Sequence, residues 1–371
     1  MSYLEVLEPL VSTLIAPEAA QTDQLARFPR AAVDALGEAG LLGLISAEEV
    51  GGMGLGAAQA CRVVERIARD CPSTAMVVTM HYAGASLIEK YGPVEIRRAI
   101  ARGEHLTTLA WSETGSRSHF WAPVGTARAD GDDFVLSGSK SMVTSASEAD
   151  SYVWSSRPVS AEGASTLWLV DSRAQGLQSP HAFDGLGLRG NASAPIRAEV
   201  LRVPASAMLG ADGSGGDIMN GDALPVFANL VASTSIGLAD GALQRATQHI
   251  TASRFAESGE ALCDLPTIRA YLARAQLRAD QARTLRDDTL AAMSAGRADA
   301  MLRVLEVKAA AAEAALDVTD TAMRICGGAA FRKEVGIERL FRDARAASIM
   351  GPTSDVLYDF LGRVLCGMPL A

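Results

Sequence analysis

The sequence predicts a mainly α-helical protein with a central β module, and three observations carry that prediction. Up to about residue 100, apolar residues recur at three- and four-residue steps. Near His105 the pattern gives way to short β-type segments between Gly, Pro and Ser clusters. From about Pro225 the helical period returns and persists. The expected order is an N-terminal helical domain over 1–104, an antiparallel, β-barrel-like domain over 105–220 and a C-terminal up-and-down helical bundle over 221–371. A chain of 371 residues exceeds the usual single core, in keeping with several units.

In the first zone, "FPRAAVDALGEAGLLGL" has helical spacing and Pro29 stands where a first turn begins. The glycines of "EEVGGMGLG" interrupt, and "AAQACRVVERIARD" resumes the period before Cys71-Pro72-Ser73. "TAMVVTMHYAGASLIEKYG" is largely apolar, which predicts a buried helix. In the second zone, "GTARADGDDFVLSGSKSMVTS" sets a Gly-Asp-Asp turn between β-type segments, and "DSYVWSS", "STLWLVD" and "AEVLRVP" follow. The third zone reads as three long helices. "FANLVASTSIGLADGALQRATQHITASRF" runs through two glycines, "TIRAYLARAQLRADQARTLRDDTLAAMSAG" is the second, and "ADAMLRVLEVKAAAAEAALDVTDTAMRIC" is the third. The small residues of "KAAAAEAA" suit close helix crossings.

Near the end, "ASIMGPTSDVLYDF" places Gly351-Pro352 between an apolar turn and another helical run. Gly costs about 1 and Pro about 3 kcal/mol inside a helix, so two helices meet there. Thr353 or Ser354 is positioned to cap the second.

Composition narrows the function. A net charge of −9 with no Lys/Arg cluster argues against a nucleic-acid binder. The five cysteines are scattered, none at C-x-x-C or His-paired spacing, which predicts reduced thiols and no metal site. "MSYLEVLEPLVSTLIAP" lacks a basic start, unlike a signal peptide, and no apolar run is expected to approach the ~20 residues of a membrane span. The expectation is a cytoplasmic protein without a span. No G-x-G-x-x-G or phosphate loop follows a strand, against a doubly wound sheet.

Three polar stretches stand out as sites of chemistry. "LAWSETGSRSHF" packs hydroxyls and backbone N–H groups around a glycine, a composition that can bind phosphate or the polar edge of a ring, though exposed polar loops share it. "SGSKSMVTSASEAD" ends a β segment at Thr144 and Ser145. "RICGGAAFRKEVGIERLFRDAR" opens on a double glycine that either caps a helix or admits a close backbone approach.

In this order and on this architecture, the stretches resemble the acyl-CoA dehydrogenase superfamily of flavoproteins over nearly the whole chain. "AGLLGLISAEEVGGMGLG" is similar to the family's N-terminal helical segment, "WSETGSRSH" to its first flavin signature and "GSKSMVTSASEADSYV" to the strand carrying a flavin-facing Thr. "MRICGGAAF" and "ERLFRDAR" resemble its C-terminal signature. The resemblance implies FAD held between the β module and the bundle, with help from a neighbouring subunit of a homotetramer or homodimer. It also implies an acyl thioester of CoA or an acyl-carrier protein as substrate, and an acceptor protein or molecular oxygen for the electrons.

Residue by residue, Ser112, Ser118 and Thr144 match hydroxyl positions at the flavin, and Trp111 and Met142 match apolar positions beside its ring. Gly327 and Gly328 match glycines near the dinucleotide of a neighbour. Thr353 follows the catalytic break, and Arg254 partly matches an arginine that grips the pyrophosphate. In the straight-chain dehydrogenases the break carries a glutamate that removes the α-proton; in this chain that position is Gly351. Three accounts follow. The base has moved, with Glu257 the nearest carboxylate to a relocated position on the long helix. Alternatively the protein is a monooxygenase, with room at Gly351 for oxygen on the flavin and His119, where the signature usually has aspartate, as proton donor. Or it is a non-catalytic flavin-fold binding protein, against which the retained hydroxyls and glycines argue. Dehydrogenation stands ahead of oxygenation because the thioester-using branches supply most of the resemblance.

Overall fold

The computed structural model describes residues 2–116, 119–179 and 184–369. The chain opens with α1 (Tyr3–Leu10), which continues through one π-helical turn into α2 (Ala16–Gln24). Helices α3 (Arg30–Glu38), α4 (Ala57–Ala68), α5 (Pro72–Tyr91) and α6 (Val94–Ala101) follow. Pro72 starts α5 where its missing N–H costs nothing. The helix is buried on nearly every side, as its apolar composition predicts. Two polar groups on it are paired. Tyr82 Oη donates to the carbonyl of Leu41 at 2.6 Å, and His81 Nδ1 accepts the N–H of Thr107 at 3.2 Å. Burial pushes the His81 imidazole down to about 4, so it is a neutral tie between helix and sheet.

The β module contains β1 (Thr107–Ala110), β2 (Thr126–Asp130), β3 (Asp133–Val143), β4 (Ser151–Ser156), β5 (Thr166–Asp171), β6 (Leu177–Gln178), β7 (Ala194–Pro204) and β8 (Met208–Leu209). They form two four-stranded sheets, ordered β1-β4-β5-β8 and β2-β3-β7-β6. Pairing is antiparallel except between β1 and β4, which run parallel with Thr107 opposite Ser151. That one departure from an all-antiparallel module follows from connectivity. The whole β2–β3 hairpin lies between β1 and β4, enough chain for a parallel return. Trp154 and Trp168 are fully buried, in one cluster with Leu136, Ile196 and Leu201 of the other sheet.

Past β8, Asp212 gathers the 159–166 loop. Its carboxylate accepts the N–H groups of Val159, Ser160 and Ala161, each at 2.9 Å, and the Thr166 hydroxyl at 2.6 Å. Burial alone would raise this carboxyl, but the Thr166 hydroxyl and the three N–H groups bring it down to about 2. Because the folded value lies below the unfolded one, the stabilisation is present above the ordinary 3.8 and is lost as pH falls through about 2. Asp212→Asn is therefore expected to lower the urea midpoint at about pH 6, with the difference from the native protein closing towards about pH 2.

The bundle comprises α7 (Gly215–Ile218), α8 (Leu224–Ala252), α9 (Pro266–Ser294), α10 (Ala300–Cys326), α11 (Ile337–Asp343), α12 (Arg345–Ile349) and α13 (Ser354–Leu365). The two glycines within α8 have a packing reason. A Cβ at Gly237 would stand 2.1 Å from the carbonyl of Glu65, and one at Gly241 would stand 2.2 Å from that of Arg69. α4 thus crosses α8 backbone to backbone, and any side chain there would separate them. The alanines of α10 serve the same end, with Ala309, Ala311, Ala312, Ala314 and Ala315 all buried. The segment Gly215–Ala252 is long and apolar enough by length and composition to cross a membrane, which corrects the expectation that no run reaches that length. Of its most apolar window 89% is buried within the fold, the surroundings of a core helix.

Candidate active site

A cavity of about 620 Å³ opens where β1, the end of β3, the start of α8 and the α12–α13 break meet. Trp111, Ser112, Met142, Thr144, Gly351 and Thr353 all line it, although more than two hundred residues separate the extremes. Met80 of α5, Phe120, and Leu224 and Phe227 of α8 complete an apolar wall. Leu224 and Phe227 share one helix face by their spacing of three.

The Ser112 loop and the Thr144 strand are stitched together. The N–H of Ser141 donates to the carbonyl of Ser112 at 2.8 Å, and the Ser141 hydroxyl donates to it at 3.2 Å. Beneath them lies a buried ion pair, with Lys140 0% and Glu113 4% exposed. Lys140 Nζ donates to Glu113 at 2.7 Å and to the carbonyl and hydroxyl of Ser155 at 2.7 and 2.8 Å, and sits 4.8 Å from the Trp154 ring centroid. Glu113 also accepts the N–H groups of Val124 and Gly125. Burial pulls Lys140 down to about 8, with Glu113 opposing, so the lysine stays an ammonium at neutral pH.

The Arg-Asp of the C-terminal signature holds the loop whose Gly187 and Leu188 line the cavity. Arg342 donates to both carboxylate oxygens of Asp23 at 3.0 and 2.6 Å and to the carbonyl of Leu186 at 2.9 Å. Asp343 accepts the N–H of Leu188 at 2.6 Å, and burial raises its carboxyl to about 6. One dipeptide thereby ties the bundle to α2 and to the 186–188 loop. Gly187 is required there, since a Cβ would meet the carbonyl of Arg342 at 2.6 Å. At the break, Thr353 Oγ1 accepts the N–H of Val356 at 3.3 Å, so Thr353 is the cap of α13.

Several polar atoms at the cavity lack protein partners. Ser112 is engaged through its carbonyl, and neither its hydroxyl nor that of Thr144 makes a hydrogen bond among the described residues. Trp111 Nε1 is buried and makes no hydrogen bond among the described residues either. Trp111 stacks on Phe120 at 5.7 Å between centroids.

Other expected site residues lie elsewhere. Glu257 is exposed in the turn beyond α8. From the cavity residue Phe227 to the end of α8 the helix runs about 38 Å, so Glu257 cannot serve its own chain's cavity. Arg254 shares that turn, exposed and donating to the carbonyl of Gly259 at 3.2 Å. His119 is exposed, set edge-on to Trp121 at 5.2 Å, and is not among the cavity residues. Gly327 and Gly328 follow the far end of α10, and a Cβ at either would meet nothing within 4 Å. Ser118 lies outside the described residues.

Two carboxylates do line the cavity, Glu113 and Glu148. Glu148 pairs with Arg30 of α3 at 2.6 Å, and Arg30 also donates to its carbonyl at 2.8 Å. Sequence reasoning missed Glu148, Phe120 and Phe227, because nothing local separates a cavity-lining glutamate or phenylalanine from a surface or core one.

Comparison with known proteins agrees along the chain. Three family models match: the acyl-CoA dehydrogenase N-terminal domain over residues 4–103, the middle domain over 108–200 and the C-terminal domain over 214–366. The mitochondrial short-chain specific acyl-CoA dehydrogenase of Bos taurus is 34% identical over 350 residues, covering 92% of this chain and 83% of its own length. Cyclohex-1-ene-1-carbonyl-CoA dehydrogenase of Syntrophus aciditrophicus is 30% identical, covering 98% and 88%. Among solved structures, butyryl-CoA dehydrogenase from Megasphaera elsdenii superposes with a TM-score of 0.91 at 22% identity, covering 98% of this chain and 97% of that one, a likeness of fold.

Proposed function

The chain belongs to the acyl-CoA dehydrogenase family, and on that premise we propose that it is an FAD-dependent oxidoreductase acting on an acyl thioester by α,β-dehydrogenation. The observation that carries the reading is the convergence of Trp111, Ser112, Met142, Thr144, Gly351 and Thr353 on one cavity. The site suits the cofactor of the family. The Ser112 and Thr144 hydroxyls offer hydrogen bonds to the polar edge of a flavin, and Trp111 and Met142 offer apolar contact. FAD, when bound, accepts the two electrons that leave the acyl chain. The protein's part is to orient the thioester and to keep water out with Leu224, Phe227 and Met350. Gly327, Gly328 and Arg254 serve a neighbouring copy's cofactor in this reading, which is supported by the open space around both glycines.

A second reading, flavin-dependent oxygenation, is favoured by one observation. Glu113 is bound to Lys140 and two N–H groups, and Glu148 is held by Arg30, so neither cavity carboxylate is free to take an α-proton. Anaerobic mixing of the purified FAD protein with a panel of acyl-CoAs separates the readings. Bleaching of the flavin absorbance is expected, and Glu257→Gln should keep the rate within about twofold, since that residue is remote from the cavity. Oxygen-dependent product without anaerobic bleaching selects oxygenation. A protein that takes up neither FAD nor FMN overturns both.

A further inference from the structure

Lys308, on α10, is 1% exposed, and its Nζ donates to three carbonyl oxygens: Ala347 at 2.9 Å, Met350 at 2.9 Å and Pro352 at 2.8 Å. Two of these flank Gly351 directly. We propose that Lys308 is a positioning residue that fixes the 347–353 turn in the cavity wall and so sets the fit of the acyl group. The part concerning the acyl group rests on the function proposed above.

The argument begins with the helix break. α12 ends at Ile349 and α13 begins at Ser354, so the last carbonyls of α12 and those of Met350 to Pro352 have no helical N–H to accept, whereas Thr353 accepts that of Leu357. Proline adds to the deficit because it lacks an N–H. Although Ile349 is exposed, Ala347 and Pro352 are buried and Met350 half-buried, so their carbonyls draw donors from the protein. Lys308 supplies them. An ammonium has three N–H bonds and the turn presents three oxygens, whereas a neutral amine would turn its lone pair towards one of them. Gly351, Met350 and Thr353 all line the cavity, so a shift of this turn changes the shape that the acyl group meets.

The lysine stands without a counter-charge, and burial pulls its ammonium down to about 7. Charged groups on the elements around it are engaged elsewhere. Arg286 of α9 is held by Glu65 and Asp287, and Asp240 of α8 by Arg283. Arg245 of α8 donates to the carbonyls of Arg69 and Gly241. On α10 itself Arg303 pairs with Asp299 and Glu306. Arg345 lies over the Phe341 ring, while Asp355 and Asp359 of α13 are exposed. Opening the turn returns the lysine to water, where its ordinary 10.5 keeps the proton, so above about pH 7 opening takes up a proton.

The test compares the FAD-loaded native protein with Lys308→Met by hydrogen exchange of the 345–357 segment and by steady-state kinetics. In the variant, exchange across the segment is expected to quicken at least about tenfold while FAD stays bound. KM for the best acyl-CoA should rise about tenfold, with kcat within about threefold. In the native protein, exchange corrected for its intrinsic pH dependence should slow as pH rises from about 7 to about 9, and the variant should lose that dependence. Unchanged exchange and KM in the variant overturn the proposal. Should Lys308→Met not fold, the native pH series decides, and a flat profile overturns it. If no acyl-CoA reduces the native flavin, the proposed function fails, while the exchange comparison still judges the lysine.

Discussion

Gly351→Glu is expected to raise the rate of anaerobic flavin reduction by acyl-CoA about 10²-fold or more. The reason lies in what the cavity lacks. A positioned general base contributes about 10²–10⁴ to a proton abstraction, and both carboxylates that line this cavity are engaged, one by Lys140 and the other by Arg30. Position 351 is in the cavity wall, at the break between α12 and α13, so a carboxylate introduced there enters the site itself. Gly351 is not among the glycines with a positive φ, so a side chain meets no left-handed strain. Stopped-flow absorbance of the flavin measures the result directly. A fall in turnover with FAD still bound would instead mean that the native reaction uses the space at Gly351, as oxygenation does.

The second large effect concerns the pair beneath the Ser112 loop. Lys140→Met leaves the Glu113 carboxylate buried without its cation, and breaking a buried pair by removing one partner costs about 3–5 kcal/mol. Denaturant unfolding should show that loss as a lower midpoint at unchanged slope. The pair lies between the Ser112 loop and β4, so the variant should also release FAD more readily. A double variant, Lys140→Met with Glu113→Gln, removes the stranded charge and should recover part of the loss; with Glu113→Gln measured alone, the cycle gives the coupling between the two residues. A Lys140→Met protein as stable as the native one would show that the two backbone N–H groups on Glu113 suffice.

Glu257 and Gly351 illustrate how differently the two kinds of information reached this site. The break at Gly351-Pro352 and the cap at Thr353 were legible because their causes act within a few residues: a missing N–H, a flexible backbone, a hydroxyl three residues before an N–H. The three long helices were legible for the same reason, and so were the strands that flank Gly131. Glu257 was read as the nearest carboxylate to a relocated base on the long helix, but the sequence does not show which end of that helix meets the cavity. The helix is rigid, and about 38 Å of α8 separates the two.

By itself the sequence determined the order of helical and β zones, the helix break near the end, and the residues Trp111, Ser112, Met142, Thr144, Gly351 and Thr353 as members of one family signature. Only the tertiary structure decided that these six share a cavity, that the glutamates near it are already engaged, and that α4 crosses α8 closely enough to require Gly237 and Gly241. It also decided that a lysine from α10 supplies the donors missing at the break. Periodicity, capping and chain breaking are set by neighbours along the chain. Whether a buried charge or an orphaned carbonyl finds its partner depends on groups brought together by folding, here 27 residues apart for Glu113 and Lys140 and 39 to 44 for Lys308 and its carbonyls.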